Sequence, residues 1–394
     1  MAVQTSTPTA ELDDEHELLR QTVRRFAETE VAAKAFQIDR EDIFPKDLYG
    51  RMAELGLLGL NVPEAYGGSG ADELSMAITL EELARVSGTV ANACLLTKLQ
   101  SEFICARGTE DQIRTWVPQL VAGEKICLIA VTEPDGGSDV ANIKTMARQD
   151  GQNWILNGTK AFMTAGAVGD LAVVLARTDR QGGSRSLTTF LVEKSRDGDP
   201  TKGFIIDHTD ELMGMRGLAT AGIAMRDTII PEENVLGAQG RGLGNALASF
   251  NNGRIVIASL ALGLAAGAHQ ACLNYAVQRK AFSRPIADFQ AIQFMLADAS
   301  VEIDAARLLI HRAAKLKDAG KNFSLEASQA KLFASDVAVR TATNAVQIHG
   351  GYGYTKDAIV ERIYRDAKLT QIYEGTNQIQ RMVIAKQLLP KTSK

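Results

Sequence analysis

Apolar positions in the first third of the chain recur at helical spacing. Leu18, Val23, Phe26 and Val31 step along the chain, and the stretches 76–86 and 95–104 repeat the pattern. Such segments predict amphipathic helices that pack on each other. From Cys127 to about Leu236 the pattern shortens to strand-like runs, Leu171 to Leu175, Thr188 to Val192, Phe204 to Ile206 and Thr220 to Met225, divided by turn residues. Asn157-Gly158 falls between two strand-like runs, and a type I′ turn needs φ > 0 at both central residues, so a hairpin is predicted there. Beyond Leu236 the helical period returns more strongly. Ile292, Leu296, Ala299, Ile303, Ala306 and Ile310 alternate steps of four and three, the a/d seam of a helix bundle. Asp298, Glu302, Asp304 and Arg307 lie off that seam and read as a solvated or interface rim. The predicted chain is α+β: an N-terminal all-α domain (1–126), a middle antiparallel β domain (127–236) and a C-terminal helical bundle (237–394).

At 394 residues the chain is too long for one simple core, which agrees with that division. A net charge of −4 without a basic stripe gives no footprint for nucleic acid. Cys94, Cys105, Cys127 and Cys272 form no CxxC pair, so a disulfide framework and zinc are both unexpected. The histidines (16, 208, 269, 311, 349) make no HxxxH or carboxylate cluster, so no metal is expected. No apolar run reaches the ~18 residues of a membrane span. The opening residues carry Glu11, Asp13, Asp14 and Glu15 before any arginine, unlike a signal or transit peptide, and cytoplasm is the expected location. There is no internal repeat, and only Lys391 to Lys394 read as frayed.

Three segments carry chemistry. Thr132-Glu133-Pro134-Asp135-Gly136-Gly137-Ser138-Asp139 follows the apolar run Ile126 to Val131. Adjacent glycines let the backbone approach a ligand and point N–H groups at its oxygens, although the segment alone is also an ordinary turn. Gln347-Ile348-His349-Gly350-Gly351-Tyr352-Gly353-Tyr354 suggests backbone packed on something such as a pyrophosphate. It is not a Rossmann fingerprint, because the spacing differs and no βαβ unit surrounds it. The third segment, Gln371-Ile372-Tyr373-Glu374-Gly375-Thr376-Asn377-Gln378, holds a lone carboxylate between apolar neighbours and a turn. Burial there would raise the pKa and make Glu374 a base near neutral pH. On this stretch alone, a surface turn is the commoner reading.

In this order and at these separations, the three segments resemble the acyl-CoA dehydrogenase family of flavoproteins. The resemblance runs from about Leu12 to Leu389. It takes in Gly56-Leu57-Leu58-Gly59-Leu60-Asn61-Val62-Pro63-Glu64-Ala65-Tyr66-Gly67-Gly68 and Arg279-Lys280-Ala281-Phe282. It implies a C-terminal four-helix bundle that also builds a homo-oligomer, a tetramer arranged as a dimer of dimers. FAD would lie between the middle and C-terminal domains and reach a neighbouring subunit. The implied reaction is α,β-dehydrogenation of a short- or branched-chain acyl-CoA. A base takes the α proton, a hydride leaves Cβ for flavin N5, and electrons pass to an electron-transfer flavoprotein.

Residue by residue, the resemblance makes Glu374 the base, its own N–H and a flavin ribityl hydroxyl polarising the thioester carbonyl. Some members carry their base where this chain has Gly253, which leaves Glu374 as the only candidate. Ile129, Thr132, Gly137 and Ser138 match a flavin-binding segment, with Ser138 also meeting CoA. Phe162-Met163-Thr164 matches the family's Trp-Ile-Thr: Thr164 would lie near N5, and Phe162 keeps an aromatic wall but loses an N–H donor. Arg279, Phe282 and Gln290 match the segment that reaches a neighbour's FAD, with Ser283 where Gly is usual. Gln347, Gly350, Gly351, Thr376 and Gln378 complete the dinucleotide site. For substrate, Arg254 is implied beside CoA, against the alternative of a helix-surface arginine. Asn251 stands where many members have Asp. Tyr373 and Gly375 flank the base, and Leu95 and Leu99 form the acyl floor. Lys98, Gln100, Ser101 and Glu102 make the far face of that helix polar. They are expected to face solvent, with a short or polar acyl group as the alternative. A non-redox lyase on the same scaffold, such as a desulfinase acting on a sulfinated acyl-CoA, is the competing activity.

Overall fold

The computed structural model describes residues 12–179 and 183–389; Glu11 and the terminal Lys391 to Lys394 fall outside them. The chain opens with helices α1 (Asp14–Phe26), α2 (Ala32–Glu41), α3 (Lys46–Glu54), α4 (Glu73–Ala84), α5 (Gly88–Arg107) and α6 (Glu110–Val121). Side chains satisfy the first N–H groups at several starts. Asp72 accepts from Ser75 N at α4, and Thr109 and Gln112 form a reciprocal capping box at α6. Val23, Phe26 and Val31 are buried as predicted, whereas Leu18 is exposed. Five residues of regular α-helix rotate the chain by about 140° from a full turn, which takes Leu18 off the face of Val23, whereas Val31 follows Phe26 through a π-helical turn, Ala27–Val31.

The strands are β1 (Cys127–Ala130), β2 (Met146–Asp150), β3 (Asn153–Met163), β4 (Leu171–Arg177), β5 (Leu187–Glu193), β6 (Ile205–Thr209), β7 (Ala221–Pro231) and β8 (Val235–Leu236). They form one sheet in the order β6-β7-β3-β2-β4-β5-β8, with β1 alongside β4. Most pairings are antiparallel, but β1 and β2 each meet β4 in parallel. The hairpin predicted at Asn157-Gly158 is not there. The β2–β3 hairpin turns at Gly151-Gln152, where Asp150 pairs with Asn153 and Gly151 has φ 61°. Asn157-Gly158 instead sits inside β3 at a register shift against β7. Asn157 and Asp227 exchange two hydrogen bonds across that bulge. A Cβ at Gly158 would lie 2.4 Å from Thr145 Oγ1, so close approach selects glycine.

The C-terminal part is built from α7 (Gly242–Gln278), α8 (Gln290–Asp318), α9 (Ser324–His349), α10 (Ile359–Leu369) and α11 (Asn377–Leu388), with a small hairpin of β9 (Lys280–Ala281) and β10 (Arg284–Pro285) between α7 and α8. Helices α7, α8 and α9 pack pairwise, and α10 closes against α7 and α9. By length and composition α7 could cross a membrane, yet 78% of its apolar window is buried inside the protein, as befits a central core helix. The predicted α8 seam holds: Ala299, Ile303, Ala306 and Ile310 are buried.

Two polar predictions fail. Arg307 is not a rim residue but is buried, 2.7 Å from Glu81 of α4. Lys98 and Gln100 are buried rather than solvated, and Ser101 is fully enclosed. Lys98 contacts Glu73 at 2.8 Å and Glu102 at 2.9 Å, and Lys317 of α8 contacts the same two carboxylates at 2.8 and 2.6 Å. This ring of alternating charge joins α4 and α5 to α8. Removing one member would leave an uncompensated buried charge, at about 3–5 kcal/mol.

Candidate active site

Glu374 lies on the turn between α10 and α11, in the left-handed region at φ 52°, with Gly375 following at φ 89°. A side chain held there costs roughly 1–2 kcal/mol, and such strain persists only where the surroundings over-determine it. The carboxyl packs against α7 at Gly253. A Cβ on Gly253 would sit 2.4 Å from Glu374 Oε2. Burial pushes the Glu374 carboxyl up to about 7, opposed by the positive charges of Arg254 and Lys331. A carboxylate has thereby become a group that is partly ionised at neutral pH.

Arg254 is buried, which removes the helix-surface alternative. Its Nη1 donates to Asn251 Oδ1 at 2.5 Å and Ser328 Oγ at 3.2 Å, while its Nε has no partner among the described residues. Asn251 Oδ1 also accepts from Ser324 Oγ at 3.1 Å. Tyr373 packs against the main core, and its hydroxyl accepts from Asn92 Nδ2 at 3.3 Å. Thr376 caps α11 by accepting from Ile379 N, and Gln378 is exposed beyond it.

Sequence reasoning missed what lies beneath this turn. Lys331 of α9 is fully buried, and its Nζ donates to Gly375 O and Asn377 Oδ1, both at 2.9 Å. Gln380 Nε2 donates to the same Gly375 carbonyl at 2.8 Å. Asn377 Nδ2 in turn donates to Ser335 Oγ and Asp336 Oδ1. The available signal was Ser328, Lys331 and Ser335 at steps of three and four, a polar stripe on an Ala-rich helix.

The loop after β1 is braced by a second overlooked pair. Glu133 accepts from Lys144 N, Thr145 N and the buried Lys160 Nζ, and Lys160 also donates to Val131 O. Burial pulls Lys160 down to about 8 against the attraction of Glu133. This brace leaves Gly137 and Ser138 exposed and Thr132 half-buried at the end of β1. The Ile129 side chain lines a cavity of about 10 Å³ with Phe103, Val131 and Phe250, barely room for one water. Phe162 sits at φ 60° with 63% of its surface exposed, and half-buried Thr164 follows two residues on. A bulky residue with positive φ at a bulge is a position the fold aims deliberately.

A separate cleft of about 460 Å³ opens where α7 and α9 end, lined by Tyr275, Arg279, Ile348, His349, Gly350, Gly351 and Tyr352 among others. The Arg279 guanidinium lies 5.5 Å above the Tyr352 ring, and Tyr275 stacks on His349 at 4.2 Å. Phe282, at φ 49° and 91% exposed, crowns the β9–β10 hairpin beside Ser283 at φ 65°, a conformation that explains why glycine would suit that place. Gln290 and Gln347 are exposed at the start of α8 and the end of α9. Arg279, Gly350 and Gly351 therefore come together, apart from the Glu374 turn. Leu95 and Leu99 are buried in the core on which Tyr373 packs, while Lys98 is held in the charge ring.

Known proteins give the same picture along the whole chain. The acyl-CoA dehydrogenase N-terminal, middle and C-terminal domain families match residues 13–124, 128–228 and 240–389. The short-chain specific acyl-CoA dehydrogenase of Clostridium acetobutylicum is 41% identical over 375 residues, 95% of this chain and 98% of that protein. The caffeyl-CoA reductase–Etf complex subunit CarC of Acetobacterium woodii is 40% identical, covering 96% and 99% respectively. The structure of butyryl-CoA dehydrogenase from Megasphaera elsdenii superposes with a TM-score of 0.92 at 38% identity, over 97% of this chain and all of that one. The helix–sheet–helix frame and these matches together mark the protein as an oxidoreductase. The chain belongs to the acyl-CoA dehydrogenase family and is an oxidoreductase of that class.

Proposed function

We propose that this protein oxidises a short-chain acyl-CoA between Cα and Cβ, with Glu374 removing the α proton. The observation that carries the reading is the Glu374 carboxyl itself, half-buried in a strained turn against Gly253 and raised to about 7. Proton removal next to a thioester develops negative charge on the carbonyl oxygen, which needs a donor fixed in advance. Among the described residues the Glu374 N–H meets no acceptor, which suits that task. Tyr373 and the core behind it exclude water on one side of the base, and the unpartnered Arg254 Nε gives a cation for an anionic substrate.

The residues present fit FAD. The cleft at Arg279, Gly350 and Gly351 offers a guanidinium fork and exposed backbone for a pyrophosphate, and Phe162 offers an aromatic wall with the Thr164 hydroxyl nearby. When bound, the flavin supplies the hydride acceptor. Exposed Phe294, Val301 and Leu308 recur at seven-residue steps on α8, which supports a homo-oligomer, proposed as a tetramer. That cleft is then completed by a neighbouring subunit. An electron-transfer flavoprotein as partner is supported by the Acetobacterium relative, whose name places it in an Etf complex.

Arg279→Ala should weaken FAD binding about 10- to 100-fold, the loss of charge-assisted hydrogen bonds. The flavin-to-protein ratio after gel filtration measures it, and full retention would contradict the assignment. The function itself is tested by anaerobic mixing with a panel of acyl-CoAs. Flavin bleaching should be fastest with unsubstituted short chains, each methylene adding about 0.8 kcal/mol until the pocket is full. The lyase reading is not favoured, because Lys98 is committed to Glu73 and Glu102. Preference for a carboxylated or sulfinated acyl-CoA would overturn the short-chain reading.

A further inference from the structure

We propose that Lys331 is a positioning residue for the base, clamping the turn that carries Glu374 and setting the positive charge beside its carboxyl. The inference rests on the reading of Glu374 as the base.

A fully buried ammonium is expensive unless it is paired or hydrogen-bonded. Lys331 makes no ion pair with a carboxylate among the described residues; its Nζ donates to two oxygens of the base turn and the helix that follows it, Gly375 O and Asn377 Oδ1. Gly375 O would keep Gln380 as a donor without it, whereas the single hydroxyl hydrogen of Ser335 lies closer to Lys331 O, at 2.7 Å, than to Asn377 Oδ1, at 3.1 Å. A donor to Gly375 O is thus already present without a lysine, and what Lys331 brings to the turn beyond its hydrogen bonds is a positive charge.

The groups that face Glu374 are Arg254 from α7 and Lys331 from α9. Those that face Lys331 are Glu374 from the turn, Asp336 from its own helix and Arg254 from α7. The neighbouring Tyr373 phenol is held far above its ordinary range by burial and then by Glu374 and Asp366 of α10, so it stays neutral. Arginine keeps its charge at all working pH values. Burial pulls Lys331 down to about 7, so it is the cation beside the base whose charge changes near neutrality. A positive neighbour favours the ionised carboxylate. Removing it leaves Glu374 protonated to higher pH.

The test uses the FAD-loaded enzyme and follows butyryl-CoA-driven flavin reduction from pH 5.5 to 9 in wild type, Lys331→Met, Lys331→Gln, Gln380→Leu and Glu374→Gln. In both Lys331 variants the acid limb should move to higher pH by about one unit, so that the rate at pH 6 falls on the order of tenfold and the gap narrows at high pH. Gln380→Leu removes an uncharged clamp and should lower the rate without moving the limb. Lys331→Gln keeps a donor to the turn and serves if Lys331→Met does not fold. An unmoved limb in Lys331→Gln, or loss of FAD and fold in both Lys331 variants, would overturn the inference and leave a merely structural lysine. A wild-type rate in Glu374→Gln would instead sink the base assignment on which it rests.

Discussion

Glu374→Gln should slow flavin reduction by at least about 10²- to 10⁴-fold, the usual range for loss of a general base. The amide keeps the size of the side chain and its fit over Gly253, so FAD and acyl-CoA should still bind. Among the described residues the charged groups that act on Glu374 are Arg254 and Lys331, and neither is a carboxylate. A single-turnover measurement under anaerobic conditions isolates the step. A wild-type rate would remove Glu374 from the mechanism. The same variant carries a stability signature. The carboxyl is raised from its ordinary 4.5 to about 7 in the folded protein, so the folded state holds that proton more tightly than the unfolded state. Ionisation then weakens the fold progressively as pH rises from about 4.5 to 7, and the loss is constant above. Gln does not titrate. The variant should match wild type near pH 4 and melt higher near pH 8, by a difference on the order of 3 kcal/mol.

How far the sequence could be read depended on what each signal measures. Helical periodicity reports which face is buried, and it placed Val23, Phe26, Ala299 and Ile303 correctly. It cannot say what covers a polar face. Lys98 looked solvated because its partner Glu73 comes from another helix and the second cation of the ring, Lys317, lies 219 positions away on α8. Arg307 failed for the same reason, since Glu81 comes from another helix. The Asn157-Gly158 signal was local and true to its chemistry, but Gly151-Gln152 offered a two-residue turn in better register, and Thr145 needed the space that Gly158 leaves. The base turn was legible because strain at Glu374 and Gly375 is written in adjacent residues. Its support was not, because Lys331 reaches it from 43 positions upstream of Glu374.

Gly253→Ala should impair the enzyme deeply although it deletes no functional group. A Cβ there would lie 2.4 Å from Glu374 Oε2 and 3.0 Å from its Cδ, so the carboxyl must move. The colliding atoms are the end of a flexible side chain, and the fold can absorb the change. Alanine in the interior of α7 even favours the helix by about 1 kcal/mol over glycine. The melting temperature should hold or rise while flavin reduction falls about 10²-fold, the scale of a misplacement near 1 Å at a reacting group. Glu374→Asp provides the internal check, because it withdraws the carboxyl by one methylene and relieves the contact. The two substitutions share one space, so their combined penalty should be smaller than the sum of the separate ones. Joining Gly253→Glu to Glu374→Gln should restore part of the rate lost by Glu374→Gln alone, a carboxylate now approaching from α7 while the amide swings aside. A Gly253→Ala enzyme with the wild-type rate would mean that the Glu374 carboxyl does not act from its place over α7.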